Sequence, residues 1–396
     1  MQYSSKLLVA GIFCSVLLLA AEAQSAESGV AQEATPAIPT NAPAFTLSAE
    51  VTPSAVLTAM EKAADWQLAN PSKHSPTDWT QGALYTGMMA LAGVSDSSRF
   101  HDAMLKMAED NKWLLGSRIY MADDHCVGQA YAELYLQHKD PKMIAPTRER
   151  FDCILAHPQD DNLEFSRANN HDDKWSWCDS LFMAPPVWIR LYVATGEKAY
   201  LNFMVENWWN TSNFLYDKEE HLYFRDSSYF NKREANGNKV SWSRGNGWVM
   251  GGLVRVLQYL PADHPSRPRF VQQFREMADR ILTCQQVDGL WRSSLLDPAN
   301  YPLKETSGSG FYCYALAWGV NQGLLDRAKF QPAVLKAWQA LVGCVTTDGK
   351  LTHVQPIGAD PRKFNDNTTE VYGVGSFLLA GSEVYRLAKP TGPAAN

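Results

Sequence analysis

The stretch Asp172-Asp-Lys-Trp-Ser-Trp-Cys-Asp-Ser-Leu-Phe-Met-Ala-Pro-Pro-Val-Trp-Ile-Arg190 places carboxylates and tryptophans directly before an apolar run. The apolar spacing predicts a helix from Asp179 to Thr195. Pro185 and Pro186 are compatible with it, because the N–H groups of the first helical turn have no internal acceptor. Asp179 would stand at the helix start, where its carboxylate either caps the first turn or faces a pocket. The local sequence favours the cap, since Asp is a preferred N-cap residue.

Helical patterns of this kind recur along the chain, whereas strand-like alternation is sparse. Twelve stretches are predicted as helices: 54–69, 79–93, 98–114, 124–138, 142–156, 179–195, 197–212, 243–259, 268–284, 307–322, 330–345 and 370–388. The even-numbered stretches contain many small residues, among them Gly82, Gly87, Gly128, Gly251, Gly252, Gly308 and Gly310. Helices so poor in bulk usually pack closely on both sides. The odd-numbered stretches keep a charged face and are therefore predicted to lie outside.

A cluster of polar and aromatic residues precedes each even-numbered helix, which indicates a six-fold repeat of helical hairpins. If the twelve helices close into a ring, all six clusters meet at one end and form a single concave pocket. The predicted fold is therefore an all-α, single-domain (α/α)6 barrel. An open α-solenoid is the alternative, but it predicts more uniform repeats than these clusters show.

The N-terminal sequence and the net charge bear on where the protein is located and which partners it binds. Residues 1–23 have the pattern of a signal peptide, with Lys6, an apolar run over 7–20 and an Ala21-Glu-Ala23 cleavage site. Residues 24–50 read as a flexible segment and 51–390 as the barrel, so an exported protein without a membrane span is predicted. The formal charge of −6, with no basic run, argues against a nucleic-acid partner. No obligate protein partner is indicated.

Cysteine and histidine spacing gives no metal signature. Six cysteines follow the predicted cleavage site, none in C-x-x-C spacing, and no H-x-x-x-H occurs. Their apolar helical settings predict that most are buried free thiols. Neither a metal nor another cofactor is predicted.

Two aspartates are candidates for acid–base chemistry. Asp124 precedes the fourth helix as Asp179 precedes the sixth, so adjacent inner helices would turn both carboxylates into one pocket and raise the pKa of one. Paired carboxylates in a tryptophan-lined cleft are typical of glycoside chemistry. Asp123 competes with Asp124 for the inward position, and one of the two is expected to be only a cap. The neighbouring His125 is expected to be a structural hydrogen-bonding residue.

A second motif, Trp242-Ser-Arg244-Gly-Asn-Gly-Trp248, suits an acidic sugar. Indole rings stack on the C–H faces of sugars, and a guanidinium pairs with a carboxylate through two parallel hydrogen bonds. The alternative is packing at a helix start, with Arg244 bonded to a backbone carbonyl. The ligand interpretation is favoured, because a buried arginine must find an anion.

Three motifs resemble glycoside hydrolase family 105, the unsaturated rhamnogalacturonyl hydrolases. They are Trp177-Cys-Asp179-Ser-Leu-Phe-Met-Ala-Pro-Pro, Trp242-Ser-Arg244-Gly-Asn-Gly-Trp248 and the less specific Thr306-Ser-Gly-Ser-Gly-Phe-Tyr-Cys-Tyr-Ala315. The resemblance runs from about Val51 to the last helix and implies an (α/α)6 barrel. It also implies that Asp179 is the general acid and base, that Asp124 assists it, and that Trp242, Arg244 and Trp248 bind substrate.

The implied reaction removes a terminal unsaturated uronic acid from oligosaccharides generated by a lyase. Asp179 would protonate C4 of the C4=C5 enol ether and deprotonate the water that adds at C5. Unsaturated rhamnogalacturonan disaccharides of pectin are the expected substrate and the expected partner. The segment Leu222-Tyr-Phe-Arg-Asp-Ser227 departs from a His-centred segment of many family members, so an unsaturated glucuronyl substrate is an alternative. A glycosidase or epimerase acting on saturated sugars is a further alternative, and a non-catalytic oligosaccharide-binding protein is the least favoured.

Overall fold

The computed structural model describes residues 47–159, 162–165 and 175–389. The predicted signal peptide, most of the segment predicted to be flexible, and the first three residues of the stretch quoted above lie outside these ranges. Among the helices of the described residues, none has the length and apolar character needed to cross a membrane.

Helices dominate the described part of the chain, and all twelve predicted stretches are helical. The bounds are α1 Pro53–Ala69, α2 Trp79–Ala92, α3 Arg99–Asp110, α4 Ala122–His125, α5 Gly128–His138, α6 Ala145–Ala156, α7 Ser180–Met183, α8 Pro185–Thr195, α9 Lys198–Leu215, α10 Ser243–Leu257, α11 Arg267–Cys284, α12 Thr306–Asn321, α13 Arg327–Val342 and α14 Val371–Ala388. Two of the predicted helices are each interrupted, which gives the pairs α4/α5 and α7/α8.

The inner helices form a closed ring. In order around it, α2 packs against α4/α5, then follow α7/α8, α10, α12 and α14, and α14 packs back against α2. The six remaining helices, α1, α3, α6, α9, α11 and α13, supply the outer layer. The architecture is the predicted (α/α)6 barrel, and it excludes the open solenoid.

Glycines set the close spacing of the inner ring. Gly87 of α2 lies directly against Gly375 of α14, and a Cβ at either position would overlap the backbone of the other helix. Gly252 of α10 lies equally close to the carbonyl oxygen of Leu181 in α7. At the next interface a Cβ at Gly82 would lie 2.8 Å from the backbone nitrogen of Val127. The small residues seen in the sequence are therefore helix-to-helix contact points.

The break between α7 and α8 has a local cause. Pro186 has no N–H to donate to the carbonyl of Phe182, so the helix is interrupted at Ala184 and restarts with both prolines in its first turn. The unpaired carbonyl of Phe182 accepts a hydrogen bond of 2.8 Å from Nε2 of Gln129 on α5. A side chain of the neighbouring inner helix thus replaces the lost backbone bond.

A buried ion cluster joins three inner helices. Glu133 of α5 accepts hydrogen bonds from Arg190 of α8 at 2.9 Å and from Arg255 of α10 at 2.6 Å. Arg255 also donates to Oε1 of Gln129 at 2.5 Å. Two guanidiniums that are almost fully buried thereby share one carboxylate, and loss of that carboxylate would leave both charges uncompensated.

The excursion between α9 and α10 contains a two-stranded antiparallel sheet, β1 Tyr216–Asp217 and β2 Leu222–Tyr223. Asn246 at the start of α10 accepts from the N–H of Tyr223 at 2.7 Å and donates to its carbonyl at 3.1 Å. These bonds fix the segment that follows β2 beside the starting ends of the inner helices.

The six cysteines that follow the predicted cleavage site all lie within the described ranges and are free thiols. Five are buried and Cys153 is exposed. The prediction of mostly buried, unpaired thiols agrees with this arrangement.

Candidate active site

Asp179 occupies the first position before α7 without acting as a cap. Its backbone is already helical (φ −61°, ψ −31°), and its carboxylate bonds to no N–H of the helix. Oδ1 instead accepts a hydrogen bond of 3.2 Å from the thiol of Cys178. The residue as a whole is half-buried.

Asp123 is the second residue of α4, which packs against α7, and it lies close enough to Asp179 for the two charges to interact. Burial and the nearby Asp179 charge raise the pKa of Asp123 to about 7. Burial also raises the pKa of Asp179, whereas Arg225, Cys178 and Arg244 act to lower it. Asp123 therefore stays largely protonated below about pH 7, and an ionised Asp179 favours that protonated form.

Asp124 is held by a different partner. Its carboxylate accepts from the backbone N–H of Arg118 at 2.7 Å and from the guanidinium at 3.1 and 2.6 Å. The same side chain packs over Gly116, where an added Cβ would lie 2.5 Å from Cγ. Asp124 is thus a buried residue that anchors the loop before α4, whereas the charge of Asp179 acts on Asp123.

His125 has the structural role that the sequence indicated. Its Nε2 lies 2.8 Å from the carbonyl oxygen of Ile119, and its ring packs against Phe151 at a centroid distance of 4.9 Å. Burial lowers the pKa of His125 to about 4. The imidazole is therefore neutral at physiological pH.

Arg225 is the cation that most lowers the pKa of Asp179, and it also lowers the pKa of Asp123, though less than Arg118 does. Its carbonyl accepts from the N–H of Cys178 at 2.8 Å, which places residue 225 beside residue 179. Its Nη1 donates to Oδ2 of Asp226 at 2.6 Å, while its buried Nε has no hydrogen-bond partner. The guanidinium lies 4.9 Å from the centroid of the Phe165 ring.

Arg244 is buried and already bonded to the backbone. Nη1 donates to the carbonyl of Gln355 at 2.5 Å and Nη2 to that of Pro356 at 3.0 Å. The rings of Trp242 and Tyr372 lie 4.7 and 4.9 Å from its guanidinium carbon. The structure therefore shows the packing arrangement for Arg244, although its charge still reaches Asp179.

The two tryptophans of the second motif are both enclosed. Trp242 is 2% exposed and donates from its indole to Oε1 of Gln355 at 3.1 Å. Trp248 is fully buried among aromatic rings, with Trp79 edge-on at 5.9 Å and Phe311 at 4.5 Å. The expected stacking on a sugar finds no free indole face at Trp248, because the ring belongs to the core behind the site.

The sequence left Asp123 as a competitor but favoured Asp124 as the residue that assists Asp179. The fixing partner, Arg118, lies in an irregular loop, and no motif marks a contact of that kind. Arg225 and Asp226 were visible only as a departure from a family pattern. Within the described ranges, no group of three or more His, Cys, Asp or Glu side chains could hold a metal ion.

A closed barrel of six helical hairpins, with aspartates at the starting ends of two inner helices, is typical of carbohydrate-active enzymes. The model of Glycosyl Hydrolase Family 88 matches residues 46–388, and the chain belongs to that family. The protein is accordingly a glycoside hydrolase. The sequence motifs indicated family 105, which is a related family, but the match is to family 88 and not specifically to family 105.

Two similar proteins with curated names are also hydrolases. The chain is 42% identical over 341 residues to an unsaturated 3S-rhamnoglycuronyl hydrolase of Formosa agariphila, covering 83% of this chain and 90% of that protein. It is 33% identical to an enzyme of the same name from Alteromonas sp., covering 82% and 84%. A solved structure described as a polysaccharide lyase superposes with a TM-score of 0.78 at 32% identity, covering 86% and 99%.

Proposed function

We propose that this enzyme hydrolyses oligosaccharides that end in an unsaturated uronic acid and releases that terminal residue. The pairing of Asp123 with Asp179 beside Arg225 carries the proposal, because enol-ether hydration needs a proton donor, a base and a cation for the uronate. Two relatives named as unsaturated rhamnoglycuronyl hydrolases support the same substrate class.

In the proposed reaction Asp179 first donates a proton to the substrate and then takes a proton from water. Asp179 donates its proton to C4 of the C4=C5 double bond, and positive charge develops at C5. Water then adds at C5 while Asp179 takes up one of its protons, which restores the carboxylic acid. The resulting hemiketal opens and expels the next sugar. Asp123 serves as the partner that keeps one proton available to the pair near neutral pH.

We further propose that the uronic acid is linked to rhamnose. The motif resemblance predicted rhamnogalacturonan disaccharides and family 105, and the relatives' names also contain a rhamnose-linked uronate. The shared element is the unsaturated uronyl–rhamnose unit. Export after cleavage near Ala23 remains part of the proposal, and N-terminal sequencing of the exported protein tests it.

The direct test is spectroscopic. Purified protein is given lyase-generated disaccharides with rhamnose or another sugar at the reducing side, and the ultraviolet absorbance of the conjugated double bond is followed. The proposal expects the absorbance to fall, fastest with rhamnose. Asp179→Asn should abolish the fall. A rise in absorbance with intact polysaccharide would identify a lyase, and release of reducing sugar from saturated oligosaccharides would identify an ordinary glycosidase.

A further inference from the structure

Arg225 lies close enough to both aspartates for its charge to act on each of them. Among the charged groups near Asp179, it has the largest influence on that carboxylate, and it also acts on Asp123. The bond from the N–H of Cys178 to the Arg225 carbonyl makes this position part of the fold.

The guanidinium of Arg225 is only partly used by the protein. One bond of 2.6 Å to Asp226 orients it, and Asp226, 1% exposed, is itself held by the N–H of Ser228 at 2.8 Å. The Nε atom is buried without a partner, and 17% of the side chain remains exposed. A guanidinium prefers to offer two parallel donors to a carboxylate, so this one retains donors for an incoming anion.

Arg244 is less available for the same task. Its two terminal nitrogens already donate to backbone carbonyls, and aromatic rings contact its guanidinium. Its buried Nε also has no partner, but the residue is only 1% exposed and so offers an incoming carboxylate less accessible surface than Arg225 does. Its charge still contributes to the field at the pair, which needs no direct contact.

We infer that Arg225, oriented by Asp226, is the residue that binds the carboxylate of the terminal unsaturated uronic acid and so selects an acidic sugar. The inference rests on the proposed function. The carboxylate is conjugated to the double bond, so its anchor lies close to the reacting carbons. This placement agrees with the position of residue 225 beside residue 179.

Substrate binding would also change the acid. In the free enzyme Arg225 lowers the pKa of Asp179. A bound carboxylate compensates the charge of Arg225, so the pKa of Asp179 rises and the shared proton moves toward the residue that must donate it. Binding of an acidic sugar thereby prepares the proton donor, whereas a neutral sugar does not.

The test compares an unsaturated uronyl–rhamnose disaccharide with its uronate methyl ester. The ester keeps the conjugated double bond and loses the charge. Wild type should prefer the acid over the ester by at least about tenfold in kcat/KM, the effect expected for a charged hydrogen bond. In Arg225→Gln this preference should fall close to one, mainly through KM, and Arg225→Lys should retain part of it. Arg233→Gln is the control, because that arginine is exposed in the same loop and bonds only to local carbonyls.

Three results would each contradict a specific part of the proposal. If Arg225→Gln weakens activity on acid and ester by the same factor, residue 225 supports the fold only. If the preference disappears in Arg244→Gln and persists in Arg225→Gln, the anchor is Arg244. If folded wild type acts on neither substrate, the proposed function itself fails, which is a different outcome from either of the first two.

Discussion

Asp123 and Asp124 are neighbours with opposite environments. Successive residues of a helix point about 100° apart, so only one of them can face a given pocket. The bonds from Arg118 turn Asp124 toward the preceding loop and leave Asp123 beside Asp179. A contact made by a loop residue therefore determines the orientation of the two aspartates, and the local sequence does not reveal that contact.

Separate substitutions of the two residues should give different results. Asp123→Asn should lower kcat/KM by about 100-fold or more, because general acid–base groups contribute on that scale. Asp124→Asn should act mainly on stability, since it weakens a buried ion pair, and should lower kcat/KM less than Asp123→Asn does. Kinetics on folded protein together with thermal melting tests both statements. Greater loss of activity in Asp124→Asn, with an unchanged melting temperature, would reverse the assignment.

The pH dependence of kcat/KM follows from the shared proton. The pKa of Asp123 is raised to about 7, so the free enzyme loses that proton as the pH rises through this value. Activity should therefore decline above about pH 7, because kcat/KM reports the ionisation of the free enzyme. A profile measured with wild type, and again with Asp124→Asn as the control, checks this. A limb at the same pH in both is expected; its absence in wild type would contradict the pairing.

The same carboxyl should reduce stability at high pH. Its folded pKa exceeds the value near 4 of an unfolded aspartate, so the folded state binds more protons, and stability falls between about pH 4 and pH 7. Asp123→Asn removes this penalty and the repulsion from Asp179. Above about pH 7 it should stabilise the protein by roughly 1–3 kcal/mol, and much less near pH 4. Urea titrations at both pH values measure the difference.

At the scale of elements, helix positions were predictable and helix continuity was not. The apolar spacing located all twelve helices, because that spacing is the direct cause of burial. The interruption at Ala184 is caused by Pro186, but the bond that compensates for it comes from outside the helix. The carbonyl of Phe182 can remain without its usual bond only because Gln129 of another helix reaches it. Such compensation arises from tertiary packing, which a single-helix pattern does not contain.

Gly252 provides a test of the close helix spacing. Gly252→Ala places a methyl group on the carbonyl oxygen of Leu181, and neither backbone can move without disturbing the start of α7. The free energy of unfolding should fall by about 2 kcal/mol or more. Gly93→Ala is the matched control, because its Cβ would meet atoms only at an ordinary 3.6 Å. Equal effects of the two substitutions in urea unfolding would show that the contact is not limiting.

For the whole molecule, closure of the ring was predictable from differences among the polar clusters. An open solenoid has two ends, whereas here α14 packs against α2 and the first and last inner helices support each other. The side chains that form the site were less predictable than the fold. Arg244 and Trp248 sit in a motif that suits sugar binding, but the structure uses them for packing, and only the surrounding loops and rings determine that use.

Closure also predicts how the protein unfolds. No repeat of the barrel can separate without exposing two neighbours, so the described barrel should unfold in one transition. Far-ultraviolet and near-ultraviolet circular dichroism should give the same urea midpoint. Tryptophan fluorescence should coincide with both, because buried indoles are distributed around the ring. Separate transitions would indicate that part of the barrel is stable without the rest.

The buried ion cluster has a consequence for evolution and engineering. Glu133 holds Arg255, Arg255 holds Gln129, and Gln129 secures the carbonyl of Phe182, three positions beyond Asp179. Catalytic turnover and thermal stability therefore both depend on this hydrogen-bonded cluster. Substitutions selected at Glu133 for either property should change the other, so the two traits cannot be optimised independently through that position.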